Sequence, residues 1–410
     1  MLRGVEGVVA EARELLRSGR SARAFEACRE GLAGEGEDRW LRYYAALALA
    51  RGGNPSLAAS YLQPLLDDLA LETDCRTDVL SLAGRLAKDA FQRAGSPADR
   101  LQAASESARR YETAYELSGD VFPGINAATM TLLQGEQSRA RELASSVLAA
   151  ASRQAGAEPD YWLAATLGEA SLILGDLDAA SSWYRRAAAL AVGKVGDLAS
   201  MRRNVLLLKD YVAVPDDVLA ALGTGTVIAF SGHMLDHPDR AGRGLPPRFP
   251  ADPDLEGVVR GALRQALDRV EPVAGYCSAA CGADILFAEA MLDRGAELHV
   301  ILPFDLEDFH GTSVDFGLAG MACWRQRCAA VLESATEVHY ATREHYLGDD
   351  VLFELNNALI RGLALTRAAE LLADVHGLFV LDEGSPGSLG GSASIRTAWE
   401  SLGKPATIVD

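Results

Sequence analysis

The sequence contains no apolar run approaching the roughly 20 residues that would cross a bilayer. Its opening, MLRGVEGVVAEARELL, breaks its apolar stretch with acids and does not read as a signal peptide. A soluble, cytoplasmic protein without membrane contact is therefore expected. An excess of positive charge is also missing: 39 Lys and Arg against 57 Asp and Glu leave a formal charge of −18. Nucleic-acid polymers are held chiefly by cations that neutralise phosphates, so this balance argues against one as the main ligand. A small nucleotide is not excluded, because backbone N–H groups at a helix N-terminus can hold one or two phosphates locally.

The six cysteines lack close CxxC knuckles. Cys277-x3-Cys281 and Cys323-x4-Cys328 read as buried free thiols in a reducing compartment, with no metal and no cofactor expected. Neither GxGxxG nor a Walker A lysine motif occurs, which disfavours a dinucleotide-dependent dehydrogenase and a P-loop NTPase.

What is present is enough chain for two or three domains: 410 residues, 49% apolar and 23% charged. The first half has an internal period. In YWLAATLGEASLILGDLDAASSWYRRAAAL, Tyr161 to Leu190, small residues at Gly168 and Ala180 allow two helices to approach closely. Gly175-Asp176 supplies a turn, and Tyr184 is expected to fill the groove toward the next pair. The turn pattern, Gly with a small residue five positions on, recurs at Gly19/Ala24, Gly53/Ala58 and Gly135/Ala140. Gly19 to Gly53 spans 34 residues, later spacings are longer, and a weaker unit around Gly95 fills the gap. These positions resemble the tetratricopeptide (TPR) repeat. The resemblance implies an all-α helical array over about residues 1–215, whose concave face takes a protein partner or another copy of the chain.

From Thr226 the pattern changes. Thr226–Phe230, Pro272–Ser278, Leu298–Leu302, Glu337–Tyr340, Gly377–Leu381 and Ala406–Val409 read as short strands separated by helical stretches. That alternation predicts an α/β Rossmann-like domain over 216–410, with a parallel sheet of about six strands covered on both faces. Asp252-Pro253 starts one helix. Its expected apolar face includes Leu255, Val258, Val259, Leu263 and Leu267, with Glu256–Arg260 and Arg264–Asp268 pairs on the other side.

In such a sheet, ligands bind beyond the carboxyl ends of the strands. Four loops there carry small residues: Ser231-Gly232-His233; Ser278-Ala279-Ala280-Cys281-Gly282-Ala283-Asp284; Pro303-Phe304 onward; and Gly387 to Ser394 with Gly390, Gly391 and Ser392. Gly and Ser let backbone N–H groups approach phosphate oxygens. Together, the run CSAACGADILFAEAMLDRGAELHVILPF (Cys277 to Phe304) and the late Gly-Gly-Ser-Ala-Ser (Gly390 to Ser394) resemble the SLOG superfamily, which includes the DprA proteins and the LOG phosphoribohydrolases. With the helical array, the whole chain resembles the TPR-SLOG (TPR-S) proteins of bacterial conflict and signalling systems.

That resemblance implies a Rossmann-like sensor or processor of nucleotide-derived signals, NAD-derived or cyclic. Where the LOG enzymes carry a catalytic Glu after their PGGxGT loop, this chain has Thr397, and Leu389 and Ala393 replace the loop's Pro and a Gly. Glu400 lies one helical turn on. These departures favour a ligand sensor. A hydrolase of an N-glycosidic bond is the alternative, with His233, Asp284, Asp382 or Glu400 as acid, base or carboxylate. A scaffold with a non-binding α/β domain is the third reading. Arg248 is a candidate lid over an anion. Arg325 and Arg327 flank Trp324 on a helix, and Glu289 is expected to face solvent or pair with Arg294.

Overall fold

The structure is a computed structural model. It describes all residues except 1–3, 18–20, 37, 156–158, 238, 243, 317–320 and 383–390, and the side chains of 17, 35, 241, 392 and 393 are also left aside. Gly19, Gly387, Leu389 and Gly390 of the motifs above lie outside the described residues. Two compact units are present, residues 1–190 with 204–221, and residues 191–203 with 222–410.

The first unit is all-α. Its helices are α1 (Val5–Arg17), α2 (Ser21–Glu35), α3 (Arg39–Arg51), α4 (Pro55–Asp67), α5 (Thr73–Arg93), α6 (Pro97–Ser118), α7 (Val121–Leu133), α8 (Gln137–Ala155), α9 (Tyr161–Leu174), α10 (Leu177–Leu190), the end of α11 (Val195–Leu208) and α12 (Asp216–Ala221). They stack as hairpins, α1/α2 through α9/α10, and α3 also packs on α1 and α5, as α7 does on α9. This is the layering of a TPR-like array. Starts are set by side-chain caps: Asp38, Asn54, Ser96, Asp120 and Asp160 each accept an N–H from the first helical turn. Turns fall at Gly53, Gly135 and Gly175, all at positive φ, with Gly95 between α5 and α6. The long period after Gly53 comes from longer helices, since α5 and α6 have 21 and 22 residues against 13 in α3 and α4.

Tyr184 is buried against its own hairpin. Its ring lies on Gly168, where a Cβ would stand 2.9 Å from the ring. Gly84 meets Tyr111 the same way, at 2.8 Å. Gly168→Val is therefore expected to destabilise this unit by about 1–3 kcal/mol through overpacking, read as a lower denaturation midpoint with unchanged m-value.

The second unit carries β1 (Thr226–Gly232), α13 (Asp239–Gly242), α14 (Pro253–Val270), β2 (Pro272–Cys277), α15 (Ala283–Leu292), β3 (Glu297–Leu302), α16 (Leu306–Phe309) running into a π-helical turn (His310–Val314), α17 (Ala322–Ser334), β4 (Glu337–Tyr340), α18 (Val351–Leu371), β5 (Asp374–Val380), α19 (Ser392–Glu400) and β6 (Ala406–Val409). All pairings are parallel, in the order β4-β3-β2-β1-β5-β6. Both sheet faces are buried. Ile228 and Phe230 join the core with residues of α14, α15 and α17, while Val227 and Ala229 join residues of α18 and α19.

Several local expectations change. β5 begins at Asp374 rather than Gly377, because Thr226 to Gly232 pair with Asp374 to Val380 along their full length. Gly377 sits inside the strand, where a Cβ would stand 2.8 Å from the Trp399 indole nitrogen. Val258 is 67% exposed, so the buried stripe of α14 is narrower than its apolar residues suggest. Glu256–Arg260 forms, but Arg264 pairs with Asp293 and Asp268 with Arg294, because α15 packs alongside and offers partners with better reach. Five cysteines are buried free thiols, whereas Cys323 is exposed. Among the described residues no helix is long and apolar enough to cross a membrane.

Candidate functional site

From β1 the chain runs outward through β2, β3 and β4, then returns along α18 to β5 on the other side of β1. The carboxyl ends of β1 and β5 thus flank the switch point of the sheet, where open α/β sheets leave a crevice. A cavity of about 790 Å³ lies there, within the volume range of small-molecule pockets. Segments following β1, β2 and β3, together with the start of α18, supply its walls, and Gly391 touches it from the β5 side.

At the β1 end, Gly282 makes the construction possible. Its φ of +103° and a would-be Cβ only 2.9 Å from His233 O and Leu235 N admit glycine alone. The turn after β2 then locks onto the tail of β1: Ala283 N–H donates to His233 O and Leu235 N–H to Cys281 O. The consequence for ligand binding is negative. His233 N–H is spent on Val380 O, Cys281 N–H on Ser313 O and Ala280 N–H on the Asp284 carboxylate. Among the described residues, the amides of His233, Ala280, Cys281 and Ala283 are thus consumed by the fold itself.

His233 lines the cavity, and its Nε2 accepts the Asp382 N–H at 3.0 Å, so the ring proton resides on Nδ1. Burial, then the charge of Arg248, hold its pKa down at about 4. A pKa held that low leaves the ring neutral at pH 7, which disfavours it as a general acid. Asp284, in the first turn of α15, is 7% exposed. Burial pushes its carboxyl up to about 7, against the opposing pull of the Ala280 and Gly232 amides. It is a carboxylic acid that changes charge near neutrality inside the cavity.

Positive charge comes from the chain between β1 and α14. Asp236 accepts the N–H groups of Arg248 and Phe249 at 2.7 and 3.0 Å and donates its own N–H to Phe249 O, closing this excursion at its base. Its Oδ1 lies 3.3 Å from Arg240 Nε and 3.8 Å from Arg248 Nε. Two guanidinium groups lining the cavity therefore share one carboxylate, and Arg248 Nε is buried without a hydrogen bond. The Arg248 backbone is held by Asp236, while its guanidinium lines the cavity.

Aromatic rings also line the cavity. Tyr346 and Phe353 line it with Phe309 and Phe316, and Phe304 stacks behind Tyr346 at 4.6 Å. Asn356 and Asn357 face it from α18. Asn356 donates to Ile301 O at 3.1 Å, while its own Oδ1 is buried without a partner.

Ser231, Gly232, His233, Arg248, Ser278, Asp284 and Gly391 of the sequence candidates thus line one cavity. Ala279 and Cys281 are buried beneath it, and Gly282 shapes the turn. Pro303 does not line it, and Asp382 meets it through its backbone contact to His233. The Ser392 backbone opens α19, and its side chain is outside the described set. Glu400 is exposed and pairs with Arg396 at 3.5 Å, on the solvent side of α19. Arg325 pairs with Glu307; Arg327 lies over Trp324 at 4.0 Å and pairs with Glu289 and Glu256, so Glu289 faces Arg260 and Arg327 instead of Arg294. Burial raises the Cys281 thiol to about 12, so it stays protonated at neutral pH. The sequence reading missed the π-helical turn, Tyr346, Phe353, Arg240 and the Asn356-Asn357 pair. Two adjacent Asn between apolar residues of this helix were the available signal.

Residues 10–131 match the sequence model of the family described as TPR-S, Tetratricopeptide Repeats-Sensor. Among solved structures, a thermophilic TPR protein of Thermus thermophilus is similar at 16% identity and a TM-score of 0.39, covering 50% of this chain and 98% of that one. No curated protein matches the chain.

Proposed function

We propose that the second unit senses a small anionic ligand of nucleotide type, NAD-derived or cyclic, and that occupancy alters a protein contact made through the TPR array, with another copy or a separate partner, in a bacterial signalling or defence system. The observation that carries this reading is the polarity of the switch-point cavity. Arg240 and Arg248, both on its lining, share one carboxylate, and aromatic rings with side-chain amides line it as well. A phosphate suits the first and a base the second. With the amides of His233, Ala280, Cys281 and Ala283 internally bonded, anion recognition falls in this reading chiefly to the two guanidiniums.

Isothermal titration of the full chain against nucleotides, cyclic nucleotides and ADP-ribose derivatives tests this. One class binds, and Arg248→Ala weakens it by about 10- to 100-fold, the worth of a charged hydrogen bond. No heat from any member of the panel with folded protein sinks the proposal. Sedimentation velocity with and without that ligand then reads the change in association.

Asp284 favours a second reading, cleavage of an N-glycosidic bond, since an acid with a pKa near 7 suits proton transfer at neutral pH. Base release on incubation, lost in Asp284→Asn, distinguishes it from binding without turnover. A plain scaffold predicts that Ser278→Glu and Gly391→Asp leave every such measurement unchanged.

A further inference from the structure

A second constellation lies at the amino ends of the outer strands, away from the cavity. The sequence repeats Glu-x-His on neighbouring strands, Glu297-Leu298-His299 in β3 and Glu337-Val338-His339 in β4. Strand periodicity turns each Glu and His to the same face, and the register sets His299 opposite Glu337. Ligand atoms of His299, Glu337 and His339 lie within 4.8 Å of one another.

His299 is the informative member. It is 8% exposed, and neither ring nitrogen has a hydrogen-bond partner. Its stack on Tyr276, 4.4 Å between centroids and 3° between planes, accounts for the burial of the ring but satisfies neither nitrogen. Buried imidazole nitrogens ordinarily find partners. Glu297 Oε2 is 3.6 Å from His299 Nε2, beyond hydrogen-bond reach, and both Glu297 oxygens are held by Arg367 at 2.8–3.0 Å. Glu297 is thereby committed to Arg367 and leaves the His299 nitrogens unsatisfied. Glu337 is exposed and His339 half-buried, leaving the third side of the cluster open to solvent.

We propose that His299, His339 and Glu337 bind one divalent transition-metal ion of the zinc class, with solvent completing the coordination. Two imidazoles and one carboxylate suit zinc, cobalt or nickel better than magnesium or calcium, which prefer all-oxygen sites. The other acidic cluster with a histidine, Asp305, Asp308 and His345, carries no such inference. Asp305 caps α16, and Asp308 already accepts the Tyr346 N–H and meets His345.

The probe is cobalt(II) added to the tag-free full chain, followed by its visible ligand-field absorption and displaced by zinc. One equivalent binds per chain, zinc raises the melting temperature, and the Cys323→Ser variant, which removes the exposed thiol, behaves as the parent does. His339→Gln and Glu337→Gln, at the solvent side where folding is least at risk, each lose affinity on the order of 100-fold or more, beyond the usual effect of an outer partner. A chain that gives no cobalt spectrum, or one whose spectrum survives His339→Gln or vanishes only in Cys323→Ser, overturns the site.

Discussion

Asp284→Asn is expected to be more stable than the parent protein at pH 8, by up to about 4 kcal/mol, while losing ligand binding or turnover at the cavity. The native carboxyl is raised from 3.8 to about 7, chiefly by burial. Between those values the folded chain holds a proton that the unfolded chain has released, so stability falls as pH rises from about 4 to about 7 and is level above. Three pH units at about 1.4 kcal/mol each give the figure. Asn keeps an oxygen for the Ala280 and Gly232 amides but cannot ionise, so the gain is an upper bound. His233 works in the opposite sense. Its native pKa, lowered to about 4, makes stability rise with pH from about 4 to 6.5. In the parent the two slopes oppose each other, and the Asn variant uncovers the histidine's. Hydrogen exchange of α15 amides at pH 5 and pH 8 reads the second unit by itself. Equal effects of the substitution at both pH values would falsify the raised carboxyl.

The parts of the fold legible in the sequence are those where local chemistry and burial agree. Asp and Asn caps, glycine turns and the Gly-with-Tyr pairing define the helical hairpins, and uninterrupted apolar runs define strands buried on both faces. Failure is confined to places where tertiary neighbours decide. Asp374 and His376 look unlike strand residues, yet β5 includes them because β1 offers a full-length partner. Arg264 has an acid in good i,i+4 position and takes Asp293 across the helix interface instead.

The cavity was half legible for a similar reason. Small residues after β1 and β2 mark its inner wall, because a backbone that must pass close to another needs them. What those turns do with their amides is invisible in the sequence, since the bonds from His233, Cys281 and Ala280 depend on β5, the π-helical turn and Asp284. The aromatic lining comes from residues 309–316 and 346–353, whose nearest strands are β3 and β4 and whose convergence depends on strand order. Glu400 could not be assigned from helix position alone: burial of Ile395 and Trp399 sets the rotation of α19 and turns Glu400 to solvent.

Lys88→Met should destabilise the helical unit by about 3–5 kcal/mol, the usual result of removing one partner from a buried charged network. Lys88 is one of the chain's few lysines, with Lys194, Lys209 and Lys404. It is 8% exposed on α5. Its ammonium donates to Asn126 Oδ1 of α7 at 2.9 Å and to Asn204 Oδ1 of α11 at 3.0 Å. Asn204 in turn donates to Glu169 of α9 at 3.3 Å, and the Thr129 hydroxyl donates to the same carboxylate. The methionine strands two amide oxygens and leaves Glu169, 5% exposed, without the cation that balances it through Asn204. Four helices lose a common tie, so denaturation of the variant should show a lower midpoint and early exchange of α7 and α9 amides. Adding Glu169→Gln to Lys88→Met should recover part of the loss, because the second change removes the stranded charge, and the double-mutant cycle measures that coupling. Additive single losses would instead mean that the two charges do not sense each other, and that the polar seam is a set of independent hydrogen bonds worth about 1 kcal/mol apiece.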